Sequence, residues 1–315
     1  MKKLISVVTP CYNEEAGIAE CYEGVRAVFA ERMQAYDYEH VFIDNCSQDR
    51  TVAILKEIAA RDASVKIIVN ARNFGHARSP HYAMLQAQGD AVVPILADLQ
   101  TPPSIIPEMA AQWEAGFKVV VAVRRDSVEG FVGKAMRSAY YGLLRRMSKV
   151  EQIPNYIGFG LYDRSFMDIA RTIYEPVPYF RGLVPEIGFE RAVVEYSQPD
   201  RKHGKSRNSL ATLVDLALLG LSTYSNAPLR LMSVAGICVA ALSLLAGLVY
   251  LVAKLLWWNS IPVGVAPMLI ATFFIGAVQL LALGLIGEYV SLLLQYARRF
   301  PLVVEKERVN FEPRA

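Results

Sequence analysis

The sequence predicts an α/β domain built on a mainly parallel sheet, followed by a C-terminal hairpin of two transmembrane helices. Over the first 228 residues, apolar runs of strand length alternate with segments of helical periodicity, which is typical of a parallel sheet covered by helices. Further along, residues 231–253 and 255–287 contain no charged side chain. A mean hydropathy of +0.26 over 315 residues excludes a disordered chain and is too high for an ordinary soluble enzyme.

The elements of the α/β domain follow from this alternation. A sheet of this type binds its ligands beyond the carboxyl ends of its strands, so the polar residues that follow each strand are the candidate functional residues. The predicted strands are Leu4–Thr9, Val41–Asp44, Val65–Asn70, Ala91–Leu96 and Val119–Val123, and the predicted helices are 14–31, 50–61, 77–88, 103–115 and 130–148.

Two membrane spans are expected, near residues 231–253 and 266–288. The first run would form a helix of about 35 Å, enough to cross a hydrocarbon core of about 30 Å. A pair of buried core helices is the alternative. Arginines before the first span and after the second indicate that both ends face the cytoplasm. The expected organisation is a cytoplasmic domain at 1–206, an interfacial amphipathic helix at 207–228, two transmembrane helices within 229–297 and a cytoplasmic tail at 298–315.

The turns after the first two strands carry polar residues but no glycine-rich phosphate loop. Residues 10–15 read Pro-Cys-Tyr-Asn-Glu-Glu, which disfavours a nicotinamide or flavin oxidoreductase. The second strand ends at Asp44, whose carboxylate could accept hydrogen bonds from a nucleobase imide or a ribose. Ser47 or Asp49 could instead cap the helix that begins near Arg50. We interpret Asp44 as functional and Asp49 as a cap.

Asp98 and Gln100, two positions apart, come at the carboxyl end of the fourth predicted strand. Alternate side chains along an extended backbone share a face, so both can reach the same crevice. Oxygen ligands of this kind suit Mg²⁺ or Mn²⁺ with a substrate diphosphate and water in the remaining positions. The alternative is that Asp98 caps the helix start at Pro102-Pro103.

Together these motifs resemble the inverting family 2 glycosyltransferases with the Rossmann-like GT-A fold. The closest subgroup is the polyisoprenyl-phosphate glycosyltransferases, such as bactoprenol glucosyltransferases and dolichol-phosphate mannose synthase. The resemblance rests on the order and spacing of the opening Val7-to-Glu14 motif, the Asp44 turn, residues 72–75 (Arg-Asn-Phe-Gly), residues 98–103 (Asp-Leu-Gln-Thr-Pro-Pro), the basic loop 201–206 and the two C-terminal spans.

The resemblance implies specific roles for individual residues. It implies that the nucleotide sugar contacts Pro10, Tyr12, Glu14, Asp44, Arg72, Lys205 and Ser206, and that Asp98 and Gln100 hold the metal. It implies that the acceptor phosphate contacts Arg124, Lys134, Arg137, Ser138 and Arg201. Asp98, Asp163 and Arg124 are the candidate catalytic residues. A solvated basic helix face is the alternative for residues 134–138, and an anionic-lipid contact is the alternative for the loop 201–207.

The sequence departs from the family pattern at two places. The first carboxylate of the family's metal motif falls at Leu96, which cannot bind a cation. The family's proposed catalytic base falls at Gly158, and Asp163 lies five residues further along. If the acceptor is a lipid monophosphate, the missing base matters less. The second pKa of such a phosphate is about 6, so it is largely dianionic at neutral pH and does not require a strong base.

The resemblance implies transfer of one sugar, with UDP-glucose as the favoured donor, to undecaprenyl or another polyisoprenyl phosphate, with inversion. The implied location is the cytoplasmic face of the bacterial inner membrane, in cell-envelope polysaccharide synthesis. We expect Mg²⁺ or Mn²⁺ as cofactor, a homo-oligomer such as a tetramer, and no nucleic-acid partner. The alternatives are a processive polysaccharide synthase and a catalytically impaired membrane scaffold that binds sugar nucleotides.

Overall fold

A computed structural model describes residues 2–125, 153, 156–199 and 265–311, with scattered positions between 232 and 256. These residues form two compact units. One unit contains the described residues of 2–199 and 299–311, and the other contains the described residues between 232 and 298. The predicted helix 130–148 and the predicted interfacial helix 207–228 lie outside the described residues.

The first unit is built on an eight-stranded sheet. Strands β1 to β4 are mutually parallel, whereas β6 is antiparallel to β4 and β5, and β8 is antiparallel to β3. The strand order is β7-β5-β6-β4-β1-β2-β3-β8. The prediction of a mainly parallel sheet is confirmed. The strands are β1 (Leu4–Cys11), β2 (Asp37–Asp44), β3 (Val65–Asn70), β4 (Ala91–Pro94), β5 (Val119–Arg124), β6 (Tyr156–Asp163), β7 (Arg191–Tyr196) and β8 (Glu305–Val309).

Helices connect the parallel strands and cover both faces of the sheet. The apolar residues of β1, β2 and β4 are buried on both sides, as expected for a parallel sheet between helical layers. A 3₁₀ turn (Pro103–Ile105) precedes the fourth helix. The helices of this unit are α1 (Ile18–Arg32), α2 (Thr51–Ala59), α3 (Gly75–Gln86), α4 (Ile106–Glu114), α5 (Arg164–Thr172) and α6 (Phe180–Ile187).

The segment predicted as a cytoplasmic tail contains the outermost strand, β8, next to β3. The Glu307 carboxylate accepts a hydrogen bond from Lys56 at 2.7 Å, and the side-chain amide of Asn310 donates to two backbone carbonyls at 2.9 Å. The backbone N–H of Ala71 donates to the carbonyl of Val304 at 2.9 Å. The tail is therefore an integral part of the sheet, which corrects the boundary drawn from the sequence.

A buried ionic cluster fixes the amino end of the sheet. Glu39 is only 4% exposed, yet its carboxylate lies 2.6 Å from the Lys66 ammonium and accepts hydrogen bonds from the Ser6 hydroxyl and the Gln88 backbone N–H. A buried carboxylate is tolerated only when its partners replace its water shell. This cluster lies at the edge opposite to the polar turns after the strands.

The second unit is a long apolar helix, α7 (Val265–Arg298), together with the described positions between 232 and 256, all of which are helical. The stretch Phe274–Arg298 has 25 residues and a mean hydropathy of 1.8, and by length and composition could cross a membrane. Large apolar side chains such as Met268 and Leu280 are more than 70% exposed. Exposed apolar surface of this extent marks a contact with lipid or protein.

Two buried histidines predict a pH-dependent stability. Burial lowers the pKa of His40 to about 3 and that of His81 to about 4. Their folded pKa values lie below the ordinary 6.5, so between about pH 6.5 and pH 4 the unfolded chain binds protons that the native chain does not. As the pH falls through this window, we expect the free energy of unfolding to decrease by up to about 1.4 kcal/mol per pH unit for each histidine.

The His81→Phe variant is the matched comparison, since His81 already packs near the Phe180 ring. We expect the unfolding free energy of this variant, measured in detergent as a function of pH, to depend less steeply on pH than that of the wild type. The difference in slope should correspond to about one bound proton. Parallel curves for the two proteins would mean that His81 is not buried uncharged.

Candidate active site

Most of the candidate residues lie at the carboxyl edge of the sheet, where β1, β2, β4 and β5 end. The register places Cys11 beside Asp44, and β4 ends at Pro94, directly before the loop that contains Asp98. This edge carries Pro10, Tyr12, Glu14, Asp44, Arg72, Asp98, Gln100 and Arg124. The candidates Lys134, Arg137, Ser138, Arg201, Lys205 and Ser206 lie outside the described residues.

Hydrogen bonds join the turn after β1 to the turn after β2. The backbone N–H groups of Asn13 and Glu14 donate to the hydroxyls of Ser47 and Thr51 at 2.9 Å. In return, the Asn13 side chain accepts from the Gln48 backbone N–H at 2.8 Å. The Glu14 backbone is therefore held in a fixed position relative to the second turn.

Asp44 lies at the base of this joined pair of turns. Its side chain is buried and accepts hydrogen bonds from the Ser47 backbone N–H at 2.9 Å and from the Ser47 hydroxyl. Burial raises the pKa of Asp44, and the Ser47 hydrogen bonds oppose that rise. Asp49 accepts hydrogen bonds from the backbone and hydroxyl of Thr51, the first residue of α2. The N-cap position of α2 is Arg50, so Asp49 lies one residue before it and binds the first residue of the helix.

Asp98 lies in a tight turn after β4. Its carboxylate accepts a hydrogen bond from the Gln100 backbone N–H at 3.1 Å, and the Leu96 backbone N–H donates to the Thr101 hydroxyl at 2.8 Å. Leu99, between Asp98 and Gln100, has a left-handed φ of 57°. Left-handed non-glycine residues are uncommon and concentrate at functional sites. Asn13 and Cys46, in the turns after β1 and β2, have φ values of 54° and 67°.

Arg72 and Arg124 lie on opposite sides of this edge. The Arg72 guanidinium lies over the Phe74 ring, 4.1 Å from its centroid. Arg124, the last residue of β5, donates to the Gln198 side chain at 2.8 Å. Each guanidinium is thus held by a neighbour on the protein.

A cavity of about 490 Å³ adjoins Asp98. Its walls come from α1, the Asp98 loop and the residue Pro199. The lining residues are Glu20, Glu23, Gly24, Asp98, Leu99, Pro102, Pro103 and Pro199.

Asp163 lies at the other edge of the sheet, which corrects the expectation that it acts on substrate. It pairs with Ala91, the first residue of β4, and so lies at least the length of β4, roughly 10 Å, from the carboxyl edge. Its carboxylate caps α5 and accepts hydrogen bonds from Ser165 and from the Trp113 ring N–H at 2.7 Å. Burial would raise the pKa of Asp163, but these hydrogen bonds and Lys118 outweigh it and the pKa is lowered.

Comparisons with known proteins show the family of the chain. The family model described as Glycosyl transferase family 2 matches residues 6–169, slightly more than half of the chain. The chain belongs to glycosyltransferase family 2. Such an enzyme moves a sugar from an activated donor to an acceptor, and the joined turns at the carboxyl edge are its candidate donor site.

Relatives match the glycosyltransferase over nearly its whole length. An uncharacterized glycosyltransferase, YkcC, from Bacillus subtilis is 36% identical over 98% of this chain and 94% of that protein. A prophage-derived bactoprenol glucosyl transferase from Shigella flexneri is 32% identical over 98% and 99%. Among solved structures, glucosyl-3-phosphoglycerate synthase from Mycobacterium tuberculosis matches 70% of this chain and 78% of that one, with 17% identity and a TM-score of 0.48. That structural likeness is too distant to bear on function.

The candidate metal position at Asp98 offers few protein ligands. The Leu96 side chain is 37% exposed where the family pattern has its first carboxylate. Within the described ranges, His, Cys, Asp and Glu side chains form no group of three that could hold a metal ion. One carboxylate near a strand end still fits Mg²⁺ or Mn²⁺, because these ions keep several waters and bind mainly through one or two carboxylates and substrate phosphates.

Two glycines lie on β6 of the glycosyltransferase, and Gly158 stands where the family pattern has its proposed catalytic base. A Cβ at Gly160 would overlap the Val120 carbonyl oxygen, so no side chain fits there. At Gly158 a Cβ would meet nothing within 4 Å, but φ is +98°, a conformation that glycine adopts without strain. Both glycines are therefore compatible with the backbone path of β6.

The capping role of Asp163 gives a direct prediction. Asp163→Ala should lower the free energy of unfolding by about 1–3 kcal/mol, because the helix cap is lost and the Trp113 N–H is left unpaired. The KM for the nucleotide sugar and the kcat per folded molecule should stay near wild type. Thermal unfolding and steady-state kinetics on the same preparation test this; a kcat loss of a hundredfold without loss of stability would restore a catalytic role.

Proposed function

We propose that this glycosyltransferase transfers one sugar from a nucleotide sugar, with UDP-glucose as the favoured donor, to a polyisoprenyl phosphate at the cytoplasmic face of a membrane, with inversion at the anomeric carbon. The observation that carries the proposal is that Asp44, Asp98 and Arg124 all lie at the carboxyl edge of one sheet. The full-length likeness to a bactoprenol glucosyl transferase supports the lipid acceptor and the glucosyl donor.

The proposed donor site uses the joined turns after β1 and β2. The buried carboxylate of Asp44 can accept a hydrogen bond from a uracil imide or a ribose hydroxyl. Pro10 lies near the end of β1, Tyr12 and Glu14 belong to the turn after it, and Arg72 supplies a cation at the neighbouring loop. A divalent cation, when bound, would neutralise the donor diphosphate. Asp98 and Gln100 would hold that cation.

The proposed acceptor end centres on Arg124. A cation at the end of β5 can orient a lipid phosphate whose oxygen attacks the anomeric carbon. A phosphate dianion is already deprotonated at neutral pH, so this attack needs no protein base. The geometry of Gly158 and Asp163, neither of which offers a base at the carboxyl edge, favours such an acceptor over a neutral alcohol.

The pairing of β8 with β3 favours a membrane hairpin over a single membrane span. Residues on both sides of the segment 200–298 belong to one sheet, so they lie on one side of any membrane. A chain that leaves a compartment and returns to it crosses the membrane an even number of times. If Phe274–Arg298 crosses once, a second crossing is required, and the uncharged residues 231–253 can supply it.

A labelled-transfer assay that compares the wild type with the Asp98→Asn variant tests the proposed function. Membranes that contain the wild-type protein, incubated with labelled UDP-glucose and Mg²⁺ or Mn²⁺, should give a lipid-extractable, acid-labile product. Asp98→Asn keeps an acceptor for the Gln100 N–H but loses the negative charge, so we expect transfer to fall at least a hundredfold with unchanged thermal unfolding. Donor binding without product, across common donors and with lipid acceptor present, would instead favour the sugar-nucleotide-binding scaffold that Leu96 and Gly158 suggest.

The missing carboxylate at Leu96 gives a second prediction. Leu96→Asp adds a negative charge two residues before Asp98, so the Mg²⁺ or Mn²⁺ concentration for half-maximal transfer should fall about tenfold. Leu96→Asn, which has a similar size but no charge, should leave that concentration near wild type. Calorimetric titration of Mn²⁺ into the UDP-bound protein gives a readout independent of turnover, and equal affinities for the two variants would contradict the proposed metal position.

A further inference from the structure

A network of buried amide side chains lies beneath the candidate donor site. Asn45, Asn70 and Ser79 are each less than 9% exposed. The Asn70 side-chain amide donates to the Asn45 side-chain oxygen and to the Ser79 hydroxyl, both at 3.0 Å. Buried amides of this kind fix their neighbours because every unmade hydrogen bond is costly.

Asn45 is the hub of this network. Its side-chain oxygen accepts from Asn70 and from the Phe74 backbone N–H at 2.9 Å. Its side-chain nitrogen donates to the Asn73 side-chain oxygen at 2.9 Å and to the Gly75 carbonyl at 3.3 Å. The hydrogen-bonding groups of this side chain are therefore all directed at β3 and the loop that follows it.

The position of Asn45 connects two parts of the proposed donor site. Along the chain it directly follows Asp44, and through space it holds the backbone of Phe74. The Phe74 ring in turn lies under the Arg72 guanidinium, 4.1 Å from ring centroid to guanidinium carbon. The Asn45 side chain thus bridges the turn that follows Asp44 and the loop that contains Arg72.

We infer that Asn45 is a positioning residue for nucleotide binding, which acts by holding the Arg72–Phe74 pair at a fixed distance from Asp44. This inference rests on the proposed function only in that Asp44 and Arg72 contact the nucleotide. Asn45 itself is turned away into the network and touches no substrate. Removing its amide releases the loop 72–75 from the turn after β2 and lowers donor affinity, while the Asp98 loop stays intact.

The test compares three single variants. Asn45→Ala deletes the hub, and Asn45→Asp keeps its volume but turns two donated hydrogen bonds into repulsive contacts with the Asn73 oxygen and the Gly75 carbonyl. Ser79→Ala is the matched control, because it removes a member of the same network that contacts Asn70 and not the loop. For both Asn45 variants we expect a tenfold or greater rise in the UDP dissociation constant and in the KM for UDP-glucose, with kcat within threefold. For Ser79→Ala we expect less than a twofold change.

A coupling measurement separates positioning from general destabilisation. If Asn45 acts through Arg72, Asn45→Ala in an Arg72→Ala background should weaken UDP binding by less than a further twofold. Additive losses would overturn the inference, as would wild-type affinity in both Asn45 variants. Failure of both Asn45 variants to fold, seen by thermal unfolding in detergent, would also overturn it, since the network would then be a requirement of the fold.

The same experiments separate this inference from the proposed function. Wild-type protein that binds UDP but forms no lipid product would refute the transfer reaction and leave the role of Asn45 standing. Wild-type protein that binds none of UDP, GDP and dTDP would refute both. Normal transfer with an unchanged KM in the Asn45 variants would refute the positioning role alone.

Discussion

The parallel pairing of β1 with both β2 and β4 is the constraint on which the candidate site depends. Parallel strands end at the same edge, so three turns that are distant in sequence come together there. Each of these turns contains one left-handed residue, and the first two are joined by backbone-to-side-chain hydrogen bonds. The strong burial of the central strands supplies the rigidity against which these strained turns are held.

The electrostatic character of the site depends on two family carboxylates that are replaced in this chain and on the charged side chains that are present. A leucine occupies one expected carboxylate position and a glycine occupies the other. Among the described residues, the charged side chains at this edge include Asp98 after β4, the buried Asp44 at the end of β2, Glu14 after β1 and arginines on both flanks. The proposed reaction joins two phosphorylated molecules, so charge neutralisation would matter more than proton transfer.

The sequence was sufficient to predict the parallel sheet and the position of Asp44 at the end of β2, because apolar strand runs and the polar residues after them are local signals. The extended backbone expected through Asp98 and Gln100 was wrong, because β4 ends at Pro94 and both residues lie in a turn around the left-handed Leu99. The sequence was misleading for Asp163, because β6 runs antiparallel to β4 and residues later in β6 lie farther from the carboxyl edge; nothing local in the sequence reveals strand direction. The strand β8 was missed because Glu-Lys-Glu-Arg-Val has the charged composition of an edge strand rather than an apolar run. The hub role of Asn45 depends on side chains from two separate loops, which no spacing rule can bring together.

The outer strand β8 also has a consequence for biosynthesis. Its five residues leave the ribosome only after the long apolar helix has been made, whereas the neighbouring β3 emerges more than two hundred residues earlier. During synthesis, β3 therefore lacks this partner strand until residues 305–309 have been made. Completion of the sheet is a late event, and under the proposed membrane hairpin it would also require both ends of the inserted segment to return to the same compartment.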